Sequence, residues 1–161
     1  MKLKLISYLL VLFIFTGCSN GRTLIYSAPT NEQIVRYVSD NKLEDLDSIW
    51  IKDSALVLLK NSLITLYSDQ NEKLYDHKIS WGSNGEGLVT VGNGVPYIAV
   101  IIQDDLMIKG AKFINVKYSD GTTESRGIDK AGLLISNYGL RTVSHMSIVN
   151  AVGEEIYSKR S

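Results

Sequence analysis

Val95 to Ile102 reads VPYIAVII, apolar at every position. A strand with one wet face would show a polar residue at every second place. This one shows none, as expected for a strand covered on both faces. Such a strand needs a further layer to pack on, either another sheet or a helix.

The flanking sequence supplies candidates for both. Ser48 to Lys52, Ala55 to Lys60, Leu63 to Ser68 and Leu74 to Trp81 read as strands, separated by Asp53-Ser54, Asn61-Ser62 and the polar stretch DQNEK. In Phe113 to Ser119, Ile114, Val116 and Tyr118 alternate with Asn115, Lys117 and Ser119, which predicts one core face and one wet face. Asp120-Gly121 follows at once and predicts a hairpin with a primed turn, returning through Thr122 to Arg126. Leu133 to Ile135, Met146 to Val149 and Ile156 to Ser158 complete the strands. Before them, Thr30 and Gln33 form a capping-box pattern ahead of Ile34, Val35, Tyr37 and Val38, predicting a helix over Asn31 to Ser39. A second short helical turn is expected at Leu43 to Leu46. The predicted fold class is mostly β: an antiparallel sandwich or curled sheet with one short N-terminal helix, spanning residues 29–161.

Residues 1–17 have a different texture. MKLK is basic, Leu5 to Phe15 is an apolar run, and Thr16-Gly17 is small. Basic, apolar, small is the order of a secretory signal peptide. Eleven helical residues would cover about 16 Å, roughly half of a bilayer's hydrocarbon core, so the run is too short to span it. Cys18, the single cysteine of the chain, comes next.

Phe15-Thr16-Gly17-Cys18 resembles the lipobox of bacterial lipoprotein precursors, in which Leu, a small residue, Gly or Ala, and Cys follow one another. Phe15 stands where Leu is usual. The resemblance implies cleavage between Gly17 and Cys18 and a diacylglyceryl group on the Cys18 sulfur. It implies a membrane anchor on the extracytoplasmic face. The chemistry fits: a thiolate is the strongest side-chain nucleophile, and two acyl chains hold a protein at a bilayer where one holds it only marginally. Residues 18–28 are then the lipidated cysteine and a tether, with Leu24-Ile25-Tyr26 open to an alternative reading as a first short strand. The β-rich part is similar only diffusely to small exported Gram-positive proteins, a likeness that carries no activity.

Composition narrows the function classes. The chain holds 17 basic and 17 acidic residues, and loss of Lys2 and Lys4 with the leader gives 15 − 17 = −2, so no basic excess points to nucleic acid. One cysteine cannot form an internal disulfide. The two histidines, His77 and His145, sit in no metal-ligand spacing, and no cofactor motif is present, so neither a metal nor a cofactor is expected. Gly82 to Gly87 (GSNGEG) looks like a phosphate loop but precedes the strand-like LVTV rather than a helix, and it reads as a hairpin loop. Asp104-Asp105 could bind calcium or serve as paired carboxylates, but no supporting loop pattern surrounds them and a turn after the buried strand accounts for them.

No catalytic constellation can be singled out. Tyr75, Trp81 and Tyr97 flank the glycine-rich loop and are the candidate binding anchors. The expected function is a membrane-anchored surface lipoprotein, a non-enzymatic binding or accessory module of the cell envelope. Alternatives are a protective, immunity-type lipoprotein that binds a toxin or hydrolase, or an envelope enzyme acting through unrecognised carboxylates. The expected partners are the membrane, through lipid on Cys18, and an envelope protein or toxin.

Overall fold

The computed structural model describes residues 25–82, 86–92, 95–139 and 141–160. The expected leader, the lipobox-like stretch with Gly17 and Cys18, and the tip of the glycine-rich loop lie outside the described residues. The elements run β1 (Tyr26–Ser27), α1 (Asn31–Asp40), β2 (Asp47–Ile51), β3 (Ser54–Leu59), β4 (Ser62–Asp69), β5 (Leu74–Ser80), β6 (Leu88–Val91), β7 (Tyr97–Ile102), α2 (Asp104–Ile108), β8 (Ala111–Tyr118), β9 (Thr123–Gly127), β10 (Gly132–Ser136), β11 (Val143–Asn150) and β12 (Glu155–Arg160).

The fold is mostly β, and every strand pair is antiparallel. The first sheet orders β2, β3, β4 and β5, with β1 on β4 beyond the end of β3. The second orders β10, β7 and β6, and the third β12, β11, β8 and β9. Three cores lie between the layers. Ile34 of α1 packs with Ala55, Val57, Leu59, Ile64 and Leu66 on one face of the first sheet. Leu56, Leu58 and Leu63 on its other face meet Ala99, Ile101 and Leu134 of the second. Ile98, Val100 and Ile102 then meet Ile114, Val116, Met146 and Ile148 of the third. The order is helix, sheet, sheet, sheet.

The uniformly apolar β7 is thereby explained. Alternate residues serve different cores, and Ala99 and Val100 are both 0% exposed. β8 alternates as its sequence does: Ile114, Val116 and Tyr118 are buried, while Lys112, Phe113 and Lys117 are exposed. The capping box of α1 is formed, with the Gln33 amide donating to Thr30 Oγ1 at 3.3 Å and the Thr30 amide to Gln33 Oε1 at 2.8 Å.

Three local expectations are corrected. Leu43 to Leu46 is not helical. The Leu43 amide closes α1 on the Val38 carbonyl at 2.9 Å, and the Leu46 amide bonds Leu58 O at 2.8 Å. Leu43 packs on the α1 core and Leu46 on the core across the sheet, so this segment must cross the sheet's edge. An extended chain gains about 3.3 Å per residue against about 1.5 Å in a helix, which makes that crossing possible. Asp104-Asp105 does not form a simple turn but opens α2, which buries Leu106 completely. The Asp120-Gly121 turn is not primed. Gly121 has φ +84°, but Asp120 does not have positive φ. The Gly121 amide bonds Tyr118 O at 3.0 Å and the Tyr118 amide bonds Thr122 O at 2.9 Å, the pattern of a three-residue loop whose last member is a left-handed glycine. Tyr26 and Ser27 already pair with β4, so ordered sheet begins before Pro29.

Candidate functional site: a tyrosine cluster at one end of the first sheet

The loop between β4 and β5 folds around Asp69. Its Oδ1 accepts from the amides of Asn71 at 2.8 Å and Lys73 at 3.0 Å, and its Oδ2 accepts from the Tyr75 hydroxyl at 3.2 Å. Burial alone would raise the Asp69 carboxyl. The two amides, the Tyr75 hydroxyl and the nearby Lys73 ammonium outweigh it and hold the carboxyl below the ordinary aspartate range.

This loop sets Tyr75 opposite Tyr67 in the β4–β5 ladder. Cross-strand partners share a face, so both rings project toward the second sheet. Tyr26, paired beside Asp69, joins them: its ring meets Tyr75 edge-on at 5.5 Å and 87°, and Tyr67 at 6.1 Å and 63°. Lys73 Nζ lies 4.9 Å from the centre of the Tyr75 ring. Tyr97, at the start of β7, approaches from the second sheet. Burial, and then the neighbouring Tyr67, push its hydroxyl above the usual tyrosine range.

Of the three sequence-predicted anchors, Tyr75 and Tyr97 therefore come to one end of the sandwich. Trp81 does not. It follows β5 at the opposite end, where its amide bonds Asn61 O at 3.0 Å and its side chain packs on the core between the first two sheets. Six residues of strand, about 20 Å, separate it from Tyr75. Tyr26 and Tyr67 were not singled out from sequence. Tyr67 was within reach, because a hairpin loop centred on Asn71 places 67 opposite 75.

On the other face of the same sheet end, a groove of about 440 Å³ opens between α1 and the loop, lined by Ser27, Arg36, Ser68, Glu72 and Leu74 among others. Gln33 ties its walls together, donating from Nε2 to Ser68 Oγ at 3.3 Å and Glu72 O at 3.2 Å.

The two histidines and the Asp104-Asp105 pair are placed apart. His77 is exposed on β5, and His145 is half-buried on β11. Asp104 pairs with Lys60 at 3.7 Å. Asp105 accepts from the Gly87 amide at 3.1 Å and pairs with Lys109 at 3.7 Å. Both carboxylates thus tie α2 to its surroundings. Among the described residues no group of three or more His, Cys, Asp or Glu is positioned to hold a metal ion. Gly87 has φ +82° and lies so close to the Tyr157 ring that a Cβ there would sit 2.5 Å from it, which gives this glycine of GSNGEG a packing reason.

Neither family models, nor curated proteins, nor solved structures yield a match to this chain.

Proposed function

We propose that this chain is a lipid-anchored binding module of a bacterial cell envelope, held on the extracytoplasmic face through Cys18, and that its tyrosine cluster is the contact surface. The observation that carries the binding reading is convergence: Tyr26, Tyr67, Tyr75 and Tyr97 come from four different strands to one end of the fold. Tyrosines offer large, rigid contact area with a polar tip, the composition that dominates binding hot spots. Tyr26 is 43% exposed and stands directly after the tether. The seven residues from Ser19 to Ile25 reach at most about 25 Å, so a partner on this surface would be held near the membrane. That confinement raises effective concentration, and modest affinity then suffices.

The test is recovery of envelope partners on the detergent-solubilised full-length protein. Tyr26→Ala and Tyr75→Ala are compared with Phe113→Ala, an exposed aromatic on the third sheet. Recovery should fall in the two tyrosine variants and persist in Phe113→Ala. Equal recovery from all of them overturns the assignment of this surface.

A further inference from the structure

The outward face of the third sheet brings Lys117, His145 and Arg160 into one row. In the ladder His145 is paired with Lys117 on one side and with Arg160 on the other. Side chains so paired lie about 5 Å apart at Cβ, so the two cations, Lys117 and Arg160, flank the imidazole on either side. Acidic neighbours would ordinarily pair with such cations, yet among the described residues neither Lys117 nor Arg160 enters an ion pair. Glu124, on the adjacent β9, is occupied by the Tyr118 hydroxyl at 3.1 Å and Arg126 at 2.7 Å. The acidic residue of this face in the ladder is Glu155, opposite Val149. Between it and the cations lies the neutral row of Asn115, Ser147 and Ser158. Two rows are about 13 Å, beyond the Debye length of about 8 Å at physiological ionic strength.

A second, independent feature falls at the same place. The β8–β11 register shifts between Val143 and His145: Val143 opposes Tyr118 and His145 opposes Lys117, leaving Ser144 as an extra residue. Val143 packs on the inner core, so without the bulge Ser144 would oppose Lys117 and His145 would turn inward. The bulge instead places His145 between the two cations and keeps Ser144 beside it, its hydroxyl donating to Lys117 O at 3.0 Å. Bulges of this kind re-aim side chains at functional sites. Lys117, Ser144, His145 and Arg160 together line a cavity of about 290 Å³.

We propose that this cavity binds a phosphate group. Arginine supplies a planar fork of donors, lysine a mobile ammonium, and histidine a ring N–H in either protonation state. The bound oxyanion would supply the negative charge that Lys117 and Arg160 lack among the described ion pairs. An inorganic phosphate and a phosphodiester lipid headgroup present the same oxygens, and the experiment separates them.

Full-length protein in nonionic detergent micelles is followed by the amide resonances of Lys117, Ser144 and His145. Inorganic phosphate is added in one series, and phosphatidylglycerol is mixed into the micelles in another. A saturable shift in both series assigns the site to phosphate whatever its carrier, and a shift with phosphatidylglycerol alone assigns it to the headgroup. In the Lys117→Gln/Arg160→Gln double variant the response should weaken at least tenfold. Its thermal midpoint without phosphate should be no lower than wild type, because both side chains are exposed and like-charged. Absence of a saturable shift in both series, or an unchanged titration in the double variant, overturns the proposal.

Discussion

At position 72 a glutamate takes the left-handed backbone conformation that glycine takes at 121 and 153, with φ of +62°, +84° and +86°. All three residues end three-residue hairpin loops closed by the same pair of backbone hydrogen bonds. A side chain in this conformation costs about 1 kcal/mol relative to glycine. Glu72→Gly should therefore stabilise the protein by about 0.5–1 kcal/mol, since the carbonyl that Gln33 uses is retained. Gly121→Val should destabilise it by about 1 kcal/mol or more. Urea denaturation of both variants checks the sign, and wild-type stability in Gly121→Val would contradict the turn geometry. Asp69 gives a prediction in pH. Its folded carboxyl lies below the ordinary value of 3.8, so its contribution is complete above that value and is lost as pH falls through the lower, folded one. Plotted against pH, the stability gap between wild type and Asp69→Asn should be constant at neutral pH and close in acid below about 4. A gap that widens in acid would mean the carboxyl is not held ionised by the loop.

Among the elements, those written by local rules were legible. The period-two pattern of β8, the unbroken apolar run of β7 and the Thr30–Gln33 box each fix their own conformation within a few residues. Elements whose shape is dictated from a distance were not. Leu43 to Leu46 has the composition of a helical turn but is drawn out because its two leucines serve cores on opposite sides of a sheet. The five-residue α2, which buries Leu106, is too short to show a helical period in its sequence. The double burial of β7 predicts an asymmetry that can be measured. Ile101→Ala should cost about 3 kcal/mol, as a truncation in a close-packed core does. Phe113→Ala, on the wet face of β8, should cost less than about 1 kcal/mol. Comparable losses from the two would show that the second sheet is not the middle layer.

The arrangement of the whole molecule, with one helix and three sheets in sequence, depends on which faces meet, and a single strand's pattern does not encode its partner. The tyrosine cluster shares that origin. Tyr67 and Tyr75 are linked by hairpin register, whereas Tyr26 and Tyr97 arrive through β1 and the second sheet. The proposed N-terminal anchor is different in kind, because it rests on residues 1–18 alone and on chemistry at one sulfur. The proposed anchor would also place the tyrosine surface near the membrane, and the proposed function depends on it. The decisive measurement is mass spectrometry of the N-terminal peptide of the protein recovered from membranes. A lipid anchor at this cysteine predicts a chain that starts at Cys18 and carries a diacylglyceryl thioether, with both lipid and cleavage lost in Cys18→Ala. A chain that starts elsewhere, or an unmodified Cys18, would contradict it.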